Sequence, residues 1–283
     1  MKNLINLDLS NTNIKSIPIL RDIGALTHLF VRDCQGVERL RSIKSLSKLQ
    51  VLDLSGSSIN EFRDQSLEPN NLPTLNSLSK LEVIDLSGCG ALTVIEDESF
   101  EQMSCLQSFS LSDAKIERLP SLSNLNNLRY LSLRKCTNLK LVVEPLTTLL
   151  SLEELHLCCI SSLTQADFLE QMSHLHILDL SETQLEKLSS MSNLKNLVHL
   201  SLRGCKQLRT VQHLEALTKL EILDLSGTAV MHLPSLTNLS NLHQFLPSNC
   251  LSSEELKNLE MLDLSGDVIK EESTDLENLD LPT

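Results

Sequence analysis

One apolar pattern recurs along the whole sequence and limits what the chain can fold into. The pattern is L-x-x-L-x-L, in which valine, isoleucine or phenylalanine sometimes replaces a leucine. Most copies begin 22 to 25 residues after the previous one, one interval is 32 residues, and the last two are 17. The twelve copies and one partial copy begin at Leu4, Leu26, Leu49, Leu81, Leu106, Leu128, Leu152, Leu175, Leu197, Leu220, Leu242, Leu259 and Leu276. Because one copy cannot bury its own apolar face, neighbouring copies are expected to stack as coils.

Each copy predicts a short strand followed by a return segment, and the period is that of leucine-rich repeats. We therefore predict an α/β leucine-rich-repeat solenoid of about 12 repeats plus a partial one, wound as a right-handed curved coil. Its concave face is a parallel β-sheet, and turns, 3₁₀ segments and short helices form its convex face. Residues 1–283 are expected to form a single domain with an insertion at 60–77. Neither end carries a polar cap, so we expect a fragment of a longer protein whose bare ends self-associate.

A special position lies three residues after the last apolar residue of each pattern, and it often alternates between a hydroxyl side chain and cysteine. We interpret it as a structural turn position, occupied by Thr12, Cys34, Cys89, Cys136, Thr183, Cys205, Thr228 and Cys250. These cysteines fall on coils two or three apart, about 10 Å at best, which is too far for a disulfide or a shared metal ion. A small buried side chain that donates to a backbone carbonyl is expected instead. Cys158 and Cys159 stay open between ordinary reduced thiols and a reactive or regulatory pair.

The sequence lacks the motifs of catalysis and of cofactor binding. It has no phosphate-binding loop, no dinucleotide fingerprint and no metal-binding spacing among its eight histidines. Serine occurs mostly as the S of the recurring LDLS, whereas a catalytic residue should be singular. The formal charge of −13 disfavours nucleic acid, and no apolar run is long enough to span a membrane. We predict a non-enzymatic protein without cofactor or metal, in a reducing compartment that is cytoplasmic or nucleo-cytoplasmic.

A binding surface is the remaining functional expectation. Residues between the inward leucines should face the concave side, where they form a row of aspartates interrupted by arginines beside an apolar stripe. The aspartates can also serve a purely structural role, and the insertion at 60–77 is a second candidate surface. The candidate partner-binding residues on the concave face are Phe30, Arg32, Val51, Asp53, Asp85, Tyr130, Arg134, His156, Ile177, Asp179, His199, Arg203, Ile222 and Asp224.

Two kinds of copy alternate in a way that resembles a known family. The stretches LDLSNTNIKSIP (7–18) and LDLSGTAVMHLP (223–234) alternate with LSLRKCTNLKLV (131–142) and LSLRGCKQLRTV (200–211). They resemble the repeat region of plant intracellular nucleotide-binding leucine-rich-repeat disease resistance proteins. The resemblance implies a sensing and autoinhibitory repeat domain in plant defence and innate immunity. Its implied partner is a protein: a pathogen effector, a guarded host protein or the receptor's own nucleotide-binding domain.

Three other functions compete with this interpretation. A generic intracellular adaptor, such as a substrate-binding subunit of a ubiquitin ligase, also uses cysteine-containing repeats, but the helical box that binds the ligase is missing. An extracellular receptor ectodomain is disfavoured because signal-peptide and cysteine-cap patterns are missing. An enzyme is the weakest alternative.

Overall fold

The strands of successive repeats stack into one parallel sheet. A computed structural model describes residues 3–17, 20, 23–40, 43–62, 78–140, 144–188 and 190–248. Cys250, residues 63–77 of the predicted insertion and the repeats that begin at Leu259 and Leu276 lie outside the described residues.

Eleven three-residue strands form the main sheet. Their order in the sheet follows the chain, and each pairs in parallel with its neighbours without a register shift. The strands are β1 (Asn6–Asp8), β2 (His28–Phe30), β3 (Val51–Asp53), β5 (Val83–Asp85), β7 (Ser108–Ser110), β8 (Tyr130–Ser132), β9 (Glu154–His156), β10 (Ile177–Asp179), β11 (His199–Ser201), β12 (Ile222–Asp224) and β13 (Gln244–Leu246). The predicted solenoid and its parallel sheet are thus confirmed.

The return segments contain little regular helix. The described residues hold one α-helix, α1 (Glu144–Thr147), and 3₁₀ segments at Ile43–Ser45, Asp97–Phe100, Asp167–Gln171 and Leu214–Ala216. Two further strands, β4 (Glu61–Phe62) and β6 (Val94–Ile95), pair in parallel as a separate two-stranded sheet. The class is therefore a parallel β-solenoid with few helices, which agrees with the prediction of turns and 3₁₀ segments rather than long helices.

The core is a stack of thin leucine layers. The central residue of each strand from β2 to β12, such as Leu29, Leu131 or Leu200, is 0 % exposed. Phenylalanine supplies the larger volumes, and Phe100 packs between Phe62 and Phe109 with ring centroids 6.0 and 4.9 Å apart. Each layer contacts mainly the layers above and below, which is why the chain needs many similar repeats to exclude water.

The turn that leaves each strand explains the special position. In the Thr183 turn, the Thr183 hydroxyl donates to the Leu180 carbonyl at 2.8 Å, and the Cys205 thiol from the next repeat donates to the same oxygen at 3.1 Å. Thr12 and Cys34 share the Leu9 carbonyl in the same way, at 2.6 and 3.1 Å. A hydroxyl in one repeat and a thiol in the next can therefore saturate one buried carbonyl between them.

The residue before the special position adopts a left-handed backbone conformation. It has a positive φ in each described turn, including Asn11 (56°), Glu182 (55°) and Gly204 (68°). Glycine and asparagine tolerate this conformation, whereas glutamate and lysine are strained in it. Lys135 (56°), Cys159 (65°) and Glu182 therefore sit at strained positions.

Candidate functional site

The outward face of the main sheet carries three columns of side chains. Each strand contributes its first residue to column one, its third residue to column two, and the second residue after the strand to column three. From β8, for example, these are Tyr130, Ser132 and Arg134. All of the candidate partner-binding residues lie in these columns of the concave face.

Column two is largely closed to solvent. Asp53, His156, Asp179 and Asp224 are only 4, 2, 3 and 7 % exposed. Each of these side chains is flanked by the strands on either side of its own strand, and by the side chains of columns one and three along its own repeat. The row of aspartates predicted on this face is therefore mostly inaccessible to a partner.

The buried aspartates stabilise the turns that follow their strands. Asp179 Oδ1 accepts hydrogen bonds from the Ser181 backbone N–H at 3.0 Å and from the Ser181 hydroxyl at 2.5 Å. Asp53 and Asp224 contact Ser55 and Ser226 in the same way. The D-L-S spacing is that of an Asx turn, a signal in the sequence for the structural role of these residues.

Two groups of candidate residues are brought together on this face, and the first lies on β2 and β3. The Arg32 guanidinium donates from Nε to Asp53 Oδ2, and its central carbon lies 4.7 Å from the Phe30 ring centroid. The His28 ring stacks on Phe30 with centroids 6.2 Å apart. Hydrogen bonding to Asp53 raises the pKa of Arg32, so this cation stays charged at every physiological pH.

The second group, which we name the central cluster, consists of Tyr130, Arg134, Glu154, His156 and Asp179. His156 Nδ1 lies 3.9 Å from Asp179 Oδ2, and His156 Nε2 lies 3.8 Å from Glu154 Oε2. Arg134 Nη2 approaches the same Asp179 oxygen at 3.7 Å, and the Tyr130 ring centroid lies 5.5 Å from that of His156. Tyr130, Arg134 and Glu154 are partly exposed above the two buried groups.

Ionic contacts decide the charges in the central cluster. Burial by itself would lower the pKa of His156, but the Asp179 and Glu154 carboxylates outweigh it and raise that pKa above the ordinary value. Burial would likewise raise the pKa of Asp179, yet the nearby His156 ring and the hydrogen bonds from Ser181 lower it overall. Both shifts favour the charged pair.

The other candidates lie near these groups without joining them. Val51 and Asp85 belong to neighbouring strands β3 and β5, and burial raises the pKa of Asp85. Ile177, His199 and Ile222 form a half-buried run in column one beside the central cluster. Arg203 is exposed at the end of β11 and contacts none of the carboxylates that the structure describes.

Three of the described thiols, Cys89, Cys136 and Cys159, are poorly suited to act as thiolates. All seven described cysteines are free. Burial raises the pKa of Cys89 to about 11 and that of Cys136 to about 12, so neither is a thiolate at neutral pH. Cys159 also has its pKa raised to about 11, by desolvation and by Cys158. Within the described ranges, no three His, Cys, Asp or Glu side chains are grouped to hold a metal ion.

A second concavity borders the predicted insertion. A cleft of about 340 Å³ is lined by Asn60, Glu61, Phe62, Thr93, Val94 and Glu96. Residues 63–77, which follow Phe62 in the predicted insertion, lie outside the described structure. None of the helices in the described part is long and apolar enough to cross a bilayer.

Comparisons with known proteins agree with this architecture. Residues 79–138 match the family described as leucine rich repeat. An Arabidopsis thaliana disease resistance protein is 32 % identical over 213 residues, which are 74 % of this chain and 15 % of that protein. A second one is 28 % identical over 191 residues, 65 % of this chain and 13 % of that protein. The chain thus spans about one seventh of the length of these relatives.

A solved structure shows the same fold at low sequence identity. The functional domain of InlJ from Listeria monocytogenes, described as including a cysteine ladder, superposes with a TM-score of 0.61 at 17 % identity. The match covers 89 % of this chain and 54 % of that domain. The chain is therefore a leucine-rich-repeat solenoid that is similar in sequence to the repeat region of plant disease resistance proteins.

Proposed function

We propose that this chain is the ligand-sensing and autoinhibitory repeat domain of a plant immune receptor, and that it binds protein through its concave face. The partner would be a pathogen effector, a guarded host protein or the receptor's own nucleotide-binding domain. The proposal includes a cytoplasmic or nucleo-cytoplasmic location and no catalytic activity of the repeats themselves. The similarity to plant disease resistance proteins supports the biological setting.

The central cluster is the observation that carries the proposed binding site. Tyr130 and Arg134 are of the residue types enriched at the energetic centres of protein interfaces. Tyr130 lies on β8 and Arg134 two residues after it. Both are partly exposed, and they contact His156 and Asp179 before a partner arrives. A preorganised side chain loses less conformational entropy on binding, so more of its contact energy contributes to affinity.

A generic leucine-rich-repeat adaptor is the second candidate function. The buried turn positions of the cysteine-containing repeats are compatible with it, because they stabilise a scaffold and do not specify a partner. Such an adaptor would use the same concave face, so the identity of the partner distinguishes the two functions.

The proposal is tested with the complete chain as affinity bait in leaf extracts, with and without pathogen challenge. Each captured protein is then purified and its binding to the chain measured directly. We expect Tyr130→Ala and Arg134→Ala each to weaken binding about tenfold, corresponding to about 1.4 kcal/mol. Arg118→Ala is the matched control, since this exposed arginine pairs with Asp97 away from the concave columns.

The outcome separates the candidate functions. A resistance-protein switch domain, an effector or a defence-related host protein that depends on Tyr130 supports the sensing function. Ubiquitin-ligase subunits as the directly bound partners support the adaptor. Equal loss of affinity in the Arg118→Ala and Arg134→Ala variants would contradict a binding site at the central cluster.

A further inference from the structure

A strongly basic surface adjoins the concave face of this acidic chain. It is formed by the segments that leave β8, β9, β10 and β11, residues 134–140, 158–165, 181–188 and 203–210, which we name the basic edge. These segments contain seven basic and two acidic side chains, a net charge of +5, although the whole chain carries −13. The rest of the chain therefore has a formal charge of −18, so the basic edge is a positively charged surface on an otherwise acidic protein.

The four segments lie side by side. Lys135 N–H donates to the Cys158 carbonyl, Cys159 N–H to the Ser181 carbonyl, and Glu182 N–H to the Arg203 carbonyl, at 2.7 to 2.9 Å. Farther from the strands, the Glu186 N–H donates to the Thr164 carbonyl at 3.0 Å. The register of the sheet thus continues into the basic edge and holds its side chains on a common surface.

One of the seven basic side chains has an ion-pair partner within the described structure. Arg134 approaches Asp179 at 3.7 Å. The other six are exposed, and no described carboxylate lies within ion-pair distance of them; they are Lys135, Lys140, Lys187, Arg203, Lys206 and Arg209. Exposed cations without internal partners are available to an external anion, and the surrounding negative charge restricts such an anion to this edge.

The spacing of the charges indicates the shape of the ligand. The segments after β8 and β11 are the most basic, with three cations each. Of the two segments between them, the one after β9 is uncharged and the one after β10 has a net charge of −1, from Glu182, Glu186 and Lys187. These two strands are three strand spacings apart, about 14 Å. An extended polypeptide covers that distance in about four residues, so carboxylates four residues apart would meet both groups of cations.

We infer that the basic edge is a second interaction surface of this chain, which binds an extended acidic segment of a partner protein. This inference rests on the proposed function, because it takes the repeats to be a protein-binding module. Nucleic acid fits the edge less well. The four segments contain no Phe, Tyr or Trp on which a base could stack, and the remaining −18 repels a long polyanion.

The test uses a fluorescein-labelled peptide of roughly twelve residues, with glutamate at every fourth position in a Gly/Ser background. Fluorescence anisotropy at low ionic strength measures its affinity for the complete chain. We expect K140Q/K206Q/R209Q to weaken binding about tenfold and to reduce its dependence on salt. The control K48Q/K80Q/K219Q removes three exposed cations outside the basic edge and should change affinity less than twofold.

Three results would overturn the inference. The first is that the labelled peptide does not bind the unmodified chain. The second is that K140Q/K206Q/R209Q and the control K48Q/K80Q/K219Q weaken peptide binding equally. The third is that an oligothymidylate of the same charge binds more tightly than the peptide and loses affinity in the K140Q/K206Q/R209Q variant. Arg134 belongs to both surfaces, so the edge variant leaves it unchanged and the central cluster is tested separately by Tyr130→Ala, which removes no charge from the basic edge. A partner that is lost in the Tyr130→Ala variant and retained by the edge variant would leave the proposed function intact.

Discussion

Replacing Glu182 with glycine should stabilise the protein. Glu182 has φ 55°, in the left-handed region that costs an L-residue about 1–2 kcal/mol. Glycine removes this strain but loses about 0.5–1 kcal/mol more conformational entropy on folding than other residues. The free energy of unfolding should therefore rise by about 0–1.5 kcal/mol, the difference between these two ranges. Little opposes the gain, because the Glu182 side chain is exposed.

The matched control is Glu186→Gly in the same repeat. Glu186 is also exposed, but it is not among the residues with positive φ. Glycine there should lower the free energy of unfolding by about 0.5–1 kcal/mol, since it brings the entropic cost without relief of strain. Glu182→Asn should also stabilise, because asparagine tolerates the left-handed region.

Urea unfolding followed by circular dichroism gives the stabilities, and native-state hydrogen exchange at the Glu182 amide reports the local effect. That amide donates to the Arg203 carbonyl at 2.7 Å, so its protection follows the stability of the turn itself. If Glu182→Gly is no more stable than Glu186→Gly, the strain assigned to this turn is refuted.

Three further predictions follow from the buried polar groups. Thr183→Val should lower the free energy of unfolding by about 1 kcal/mol, because the Leu180 carbonyl loses the hydroxyl donor. A double-mutant cycle with Cys205→Ala should show coupling, because in the double variant that carbonyl loses both of its side-chain donors. The stabilisation that the charged His156 contributes should be fully present below its unfolded pKa of about 6.5 and lost as the pH rises through its raised folded pKa. The stabilisation that the charged Asp179 contributes should be lost as the pH falls through its lowered folded pKa. In the His156→Gln variant, the free energy of unfolding measured against pH should lack the decrease on the alkaline side. In the native protein a thiol reagent at pH 8, with labelling mapped by mass spectrometry, should modify the half-buried Cys105 well before Cys89 and Cys136; early labelling of either buried thiol would contradict the turn geometry.

Much of the fold could be predicted because the repeat signal is local and recurs. The L-x-L alternation marks each strand, and the nearly constant interval between copies places successive strands in register. The central leucines, such as Leu131, are buried as expected because a stack of similar layers offers them only one apolar environment. The positions of α1 and of the individual 3₁₀ segments were harder to predict, since the return segments are too short and irregular to show helical periodicity.

The candidate site was only partly predictable. The sequence places Tyr130, Arg134, His156 and Asp179 on one face, because alternate residues of a strand share a side. It does not reveal that His156 and Asp179 are almost fully buried. Their burial depends on neighbours supplied by other repeats, at distances of 21 or more residues in the chain.

The sequence by itself thus determined the repeat, the parallel sheet and the division of side chains between core and concave face, because these depend on a periodicity contained within single repeats. Only the tertiary structure decided that Asp179 and His156 lie buried beside each other, that Thr183 and Cys205 share one carbonyl, and that separate basic segments form one edge. Each of these features joins groups from different repeats, and it exists only when stacking brings them to within a few ångströms of one another.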